Sequence, residues 1–261
     1  MTEEQDEAPV TVILIHGAWQ GAWVWDRFAP LLHSAGFNPL AVDLPGNGQD
    51  QTPPEQVTLD LYVQHVATLI DGLQGPVFVV AHSGGGVVAS QLAETLPQRI
   101  AGLIYVAGMM LPDAISYGDL VREALPDRPD SAGISPHLIW SEDGLTSRVP
   151  AEAAVSHFLS DLPREQALSA AGRLTPQPEG GRAMRPRISA QRFGRVPRLY
   201  VEATEDRSVF LHLQRRMQDL VPGAAVVSLH TGHAPHVSAP EALLEAILPF
   251  LRACADGSRR P

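Results

Sequence analysis

Ser83, Asp206 and His233 are a hydroxyl, a carboxylate and an imidazole, standing in a chain order and in settings that suit nucleophilic catalysis. Ser83 lies in Ala81-His82-Ser83-Gly84-Gly85-Gly86. The apolar run over 76–80 predicts a buried parallel strand, and 87–96 predicts a helix stopped by Pro97. A serine on so sharp a strand-to-helix turn is forced into strained backbone angles that lift its hydroxyl above the sheet. Glycines beside it let strand and helix approach closely. The stretch departs from G-x-S-x-G only at its first place, which Ala81 fills. The competing reading is a Gly-rich phosphate loop at a helix N-terminus, but the chain lacks G-x-x-x-x-G-K-[ST] and the spaced glycines of a dinucleotide fingerprint.

A serine hydroxyl is a weak nucleophile near neutral pH and needs a base, which in turn needs an orienting group. Asp206 follows a predicted strand over 199–203, within Thr204-Glu205-Asp206. His233 follows a predicted strand over 225–229, within Thr231-Gly232-His233-Ala234-Pro235-His236. Glu205 and His236 compete for the two roles, and Gly232 suits the tight loop that His233 would need. The oxyanion formed when Ser83 attacks a carbonyl requires backbone N–H donors, for which Gly84 and Ala18 are the candidates. His82, next to the nucleophile, is expected to point away from it as a structural residue. His16 is expected to hold the oxyanion loop, and Asp43 to be architectural. Trp19, Trp23 and Trp25 suit either a pocket wall or the core.

The elements that must position these groups alternate over the first hundred residues. Strands are predicted over 10–15, 38–43 and 100–107 besides the one before Ser83. Helices are predicted over about 25–35, closed by Gly36, and over 59–73. This is the pattern of a mainly parallel sheet with helices on both faces. From about 109 to 196 the alternation breaks into a stretch rich in proline, with no convincing strand and short helices near 118–124, 151–159 and 164–171. The stretch reads as a helical lid inserted into a single α/β domain over 1–261. A disordered linker is the alternative, against which Trp140 and Phe158 argue for packing. The core resumes with the strand over 199–203, a helix near 211–220, the strand over 225–229 and a last amphipathic helix over 240–253. Residues 1–9 and 257–261 are expected to be loose tails.

Nineteen basic and twenty-nine acidic side chains give a net charge of −10, which disfavours nucleic acid and anionic membrane surfaces as partners. The single cysteine, Cys254, cannot form an internal disulfide, and there is no Cys/His zinc pattern. Neither a signal peptide nor an apolar run long enough to span a bilayer is found, so a cytoplasmic location is expected. A homodimer is left open.

The segment His16-Gly17-Ala18-Trp19-Gln20-Gly21-Ala22-Trp23-Val24-Trp25 resembles the HGAxxGxWxW start of the esterase and hydroxynitrile-lyase branch of the α/β-hydrolases. Asp43-Leu44-Pro45-Gly46-Asn47-Gly48, the serine turn, 203–206 and 232–235 fall where that branch has its motifs. Residues 198–241 are similar to its bacterial carboxylesterases, including pyrethroid hydrolases. The likeness covers about 10–108 and 197–252 and leaves the insertion unmatched. It implies an α/β-hydrolase fold, a Ser83/Asp206/His233 triad and no cofactor. The expected activity is serine carboxylesterase, cleaving a small hydrophobic or aromatic ester through an acyl-enzyme, with the small-molecule ester as the expected partner.

Two other readings stay open: a carbon–carbon bond lyase or hydrolase on the same fold, and a degenerate hydrolase that binds a small molecule. In the lyases of this branch a lysine follows the catalytic histidine, and threonine stands where this chain has Gly17. Here Ala234 follows His233 and the chain has no lysine, while Gly17 is expected to leave room for water and an ester carbonyl. The insertion is expected to set substrate choice, and its apolar residues, such as Met109, Met110, Leu111, Trp140 and Phe158, suit a hydrophobic acyl or alcohol group better than a charged one.

Overall fold

The computed structural model describes residues 10–258. In chain order the strands are β1 (Thr11–Ile15), β2 (Asn38–Val42), β3 (Val77–His82) and β4 (Ile100–Val106), then the short β5 (Ile139–Trp140), β6 (Thr146–Arg148) and β7 (Gln177–Pro178), then β8 (Arg198–Ala203) and β9 (Ala225–Leu229). The helices are α1 (Ala29–Ser34), α2 (Leu59–Asp71), α3 (Gly85–Thr95), α4 (Tyr117–Ala124), α5 (Ala151–His157), α6 (Arg164–Ala171), α7 (Leu211–Leu220), α8 (Pro235–Ser238) and α9 (Pro240–Ser258).

The main sheet runs β2-β1-β3-β4-β8-β9 with every neighbouring pair parallel. Its inner strands β1, β3, β4 and β8 are buried at nearly every position because both faces are covered, whereas the edge strands β2 and β9 are partly exposed. Ile13, Ile15, Val77, Val79 and Leu103 pack on one side with Tyr62 and Val66 of α2, Val88 and Leu92 of α3, and Met217 of α7. Val12, Leu14, Phe78, Val80 and Ile104 pack on the other with Leu32 of α1 and Leu243, Ile247 and Leu251 of α9. The period of two along each strand thus feeds two separate cores. The chain moves outward from β1 to β2 and then returns past β1 to β3. Such a reversal opens a crevice beyond the carboxyl ends of the two central strands.

Several boundaries differ from expectation for local reasons. The helix expected over 25–35 is a 3-10 turn, Ala22–Trp25, followed by α1, with Pro30 in the first turn of α1 where proline's missing N–H costs nothing. The helix expected over 59–73 ends at Asp71 with Gly72 as its cap. Helix α9 continues to Ser258, so 257–258 are helical and not a loose tail. The tails expected over 1–9 and 259–261 lie outside the described residues.

The largest correction concerns the insertion, which does contain strands. β5, β6 and β7 form an antiparallel sheet of their own, too short for any periodicity to show in the sequence. Around it Phe158, Leu159, Ala154, Ala167 and Ile134 pack with Trp19 and Ala234 into a third cluster. The insertion is therefore seated on the loops that follow β1 and β9. Trp140 is not part of that packing and stands 44% exposed beside Ile139. Among the described residues no helix is long and apolar enough to cross a membrane.

Candidate active site

Ser83 sits at the junction of β3 and α3 with φ of 50°, in the left-handed region that side-chain-bearing residues avoid at a cost of about 1–2 kcal/mol. The turn is held by Ser83 N–H donating to the Val106 carbonyl at 3.2 Å and by the Ser83 carbonyl accepting from Met109 N–H at 2.8 Å. Gly85 is required by close approach, since a Cβ there would fall 2.5 Å from the His16 carbonyl oxygen and 2.9 Å from Ile15 Cγ2. Ala81, by contrast, is an ordinary strand residue in register with Tyr105, its methyl fully buried, and nothing at its position demands glycine.

Asp206 and His233 meet. The His233 Nδ1–H donates to Asp206 Oδ2 at 2.7 Å, with both residues buried. Asp206 is itself fixed by Ser208 N–H at 2.7 Å and Val209 N–H at 2.9 Å on Oδ1. A carboxylate acceptor on Nδ1 fixes the neutral tautomer in which Nε2 holds the lone pair. Glu205 is exposed and pairs only with His230, so it is not placed for that role. His236 lies in α8 with its ring 4.4 Å from Trp25 and 4.3 Å from His82. Among the described residues neither of its nitrogens has a hydrogen-bond partner. Burial, and secondarily His233, pushes its pKa down to about 3, so it is neutral.

Ser83, Gly84, Ala18 and His233 line one cavity of about 340 Å³ together with Trp19, Met109 and Phe158. A Cβ built on Gly84 would lie 3.8 Å from the Ala18 nitrogen, which places the two candidate oxyanion donors side by side. Met110 and Leu111 are core residues and Trp140 lies elsewhere on the surface, so of these five apolar insertion residues Met109 and Phe158 line the cavity. Trp25 is core, whereas Trp19 is a cavity wall stacked on Phe158.

The oxyanion loop is braced from several sides. His16 Nε2 accepts from Leu44 N–H at 3.1 Å, and Asp43 accepts from Ala22 N–H at 2.6 Å and Gln49 N–H at 3.1 Å, which agrees with the architectural parts expected of both. Trp19 N–H donates to Gln177 Oε1 at 2.9 Å, tying the loop to β7. Gly17 does not open space. A Cβ there would meet His82 Nδ1 and Ser83 Cβ at 2.9 Å each, so glycine is needed for the loop to touch the serine turn.

His82 does not simply point away, since it lines the cavity and donates from Nε2 to the His233 carbonyl at 2.9 Å. Its Nδ1 lies 3.0 Å from Gln20 Oε1, which also accepts from Gly17 N–H at 3.0 Å. Burial, then the neighbouring imidazoles His236 and His233, holds its pKa well below the usual histidine range. Two contributors escaped the sequence reading. Gln20 sits inside the first motif without a chemical signature of its own. Asp161, from the α5–α6 loop, accepts from Gly232 N–H and Ser238 Oγ–H at 2.7 Å each and so brackets His233, with no local pattern to reveal it. Among the described residues no group of three or more His, Cys, Asp or Glu side chains could hold a metal ion.

The model of the alpha/beta hydrolase family matches residues 12–246. The chain belongs to that family. This hydrolase is 33% identical to the pyrethroid hydrolase of Sphingobium wenxiniae, over 94% of this chain and 89% of that protein. It is 27% identical to salicylic acid-binding protein 2 of Nicotiana tabacum, over 90% of this chain and 95% of that protein. The crystal structure of a pyrethroid hydrolase from Sphingobium faniae JZ-2 superposes with a TM-score of 0.84 at 30% identity, covering 95% of this chain and 99% of that one. These alignments run through the insertion, which the sequence reading had left unmatched. The likeness to both hydrolases therefore extends over the insertion as well as the core.

Proposed function

We propose that this hydrolase is a serine carboxylesterase acting on a small, largely apolar ester through an acyl-enzyme. The observation that carries the reading is the His233–Asp206 hydrogen bond of 2.7 Å, opening onto the cavity that Ser83 lines from its strained turn. His233 Nε2 takes the Ser83 proton as Oγ attacks the carbonyl carbon. Asp206 stabilises the imidazolium without accepting its proton. The Ala18 and Gly84 N–H groups hold the oxyanion, each donor being worth about 2.7–4 kcal/mol of barrier. His233 then protonates the leaving alcohol, and the acyl group stays on Oγ. Water enters, gives its proton to His233 and its oxygen to the acyl carbon, and the acid departs as Oγ is reprotonated. The names of the relatives, pyrethroid hydrolase and methylesterase among them, support ester hydrolysis as the reaction class.

Ala234 after His233, in a chain without lysine, leaves no cation beside the histidine for a departing cyanide, which favours hydrolysis over cyanohydrin cleavage. The test is a panel of p-nitrophenyl esters with Ser83→Ala, a fluorophosphonate probe and mandelonitrile. Hydrolysis and probe labelling are expected to vanish in Ser83→Ala while the circular dichroism spectrum stays native, with negligible cyanide released by the wild type. Labelling that persists in the mutant would remove Ser83 as the nucleophile.

A further inference from the structure

The cavity is lined by two unlike sets of side chains. Next to Ser83 and His233 its wall is Trp19, Met109 and Phe158, with the Phe158 ring 5.5 Å from the His233 ring. The same cavity is lined, from α4 and the segment over 179–185, by Arg122, Arg182 and Arg185. Three guanidinium groups on one small cavity stand out in a chain whose net charge is −10.

Their acidic partners do not cancel them. Arg182 is matched by Glu179, through a two-point pair at 2.6 and 2.8 Å. Arg122 and Arg185 share a single carboxylate, Asp119. That carboxylate is already saturated. Its Oδ2 accepts from Ser116 N–H at 2.9 Å and Ser116 Oγ–H at 2.8 Å besides its bond to Arg185, and its Oδ1 accepts from Arg122 Nη1 at 2.9 Å and Arg185 Nη2 at 3.3 Å. The Ser116 N–H, then Arg185, hold the Asp119 pKa well below the ordinary carboxylate range, so it stays ionised and cannot vary its charge in the working pH range. One positive charge is left over. Among the described residues only Nη1 of Arg122 is engaged, and its side chain is 71% exposed, so Nη2 and Nε have donors to offer a ligand.

Resting on the proposed esterase function, we infer that the physiological ester carries a free carboxylate in addition to its scissile ester group, read by Arg122 among the arginines that line the cavity. The apolar part of such a molecule would lie on Met109 and Phe158. Water-screened charge–charge attraction at a partly exposed site is modest, about fivefold in affinity for one pair.

Two matched pairs of esters test this. One compares the p-nitrophenyl monoester of adipic acid with its neutral primary-amide isostere. The other compares p-carboxyphenyl butyrate with p-carbamoylphenyl butyrate, placing the carboxylate on the alcohol side. In at least one pair the wild type is expected to favour the carboxylate by about fivefold in kcat/KM, with the ratio shrinking as salt is raised. Arg122→Gln should bring that ratio close to one, Arg122→Glu should invert it, and Arg122→Lys should keep most of it. A ratio of one or less in both pairs, with Ser83-dependent turnover of the amides intact, overturns the inference and leaves the esterase reading standing. A preference that survives Arg122→Glu overturns it as well. Absence of Ser83-dependent turnover for all four esters, and for simple p-nitrophenyl esters, would bring down the function and the inference together.

Discussion

Asp206 and Glu205 are adjacent carboxylates with opposite surroundings, and that contrast decides which one matters. Asp206 is 3% exposed and takes two backbone N–H bonds on the oxygen that does not face His233. Glu205 stands in solvent with His230. Asp206→Asn is expected to lower kcat by roughly ten-thousandfold, because an amide facing Nδ1 favours the wrong tautomer. Glu205→Gln should stay within about twofold, and steady-state kinetics on one ester compares the two. The histidines divide in the same way. His233→Ala is expected to lose activity by several orders of magnitude. His236→Ala should instead open a hole against Trp25 and His82 and lower the denaturation midpoint, since its ring only packs.

At the scale of elements, the serine turn exists because α3 starts almost in contact with β1. Gly85→Ala would push a methyl to within 2.5 Å of the His16 carbonyl oxygen, so helix and strand must separate. We expect about 1–3 kcal/mol of destabilisation by denaturant titration, with activity lost even where the variant folds, because the Ala18 N–H moves with that strand end. The insertion is tied to the histidine loop by Asp161, whose carboxylate joins Gly232 and Ser238. Asp161→Ala removes those two bonds without touching the core. Roughly three- to tenfold lower kcat/KM is expected, with faster hydrogen exchange over 158–162 and 230–238, close to what one partly solvated charge-assisted bond is worth. Unchanged exchange in both segments would show that the insertion is held by its apolar contacts alone.

For the molecule as a whole, three buried imidazoles set the acid limit of stability. Burial lowers the pKa of His16, of His82 and of His236, the last to about 3. An unfolded histidine titrates near 6.5. Between there and each depressed folded value, the unfolded chain takes up protons that the folded chain refuses. Stability is therefore full above about pH 6.5 and falls as the pH drops, by up to about 1.4 kcal/mol per pH unit for each such imidazole, down to about pH 3 for His236. Urea midpoints measured at neutral pH and in mild acid should show this decline. His236→Phe, which keeps the ring and removes the titration, should flatten its slope.

How much of this was legible without coordinates follows from where the information lies along the chain. The unbroken apolar strands and the serine turn are local patterns, so the parallel sheet covered on both faces, the placing of Ser83 at the end of β3 and the candidacy of Asp206 and His233 could all be read from neighbouring residues. Short strands such as β5 and β7, two residues each, carry no period to read. The choice of Asp206 over Glu205 depended on which of two adjacent side chains the fold turns inward. The bond from His82 to the His233 carbonyl joins residues 151 apart in sequence, and the Asp161 latch joins residues 71 and 77 apart. Gly17 looked like open room and proved to be a point of contact, because a glycine's missing side chain says nothing by itself about what occupies the space. Order and residue type determined the chemistry on offer. Only the packing of distant segments decided which groups face one another, since burial, shared hydrogen bonds and surplus charge are properties of neighbours in space.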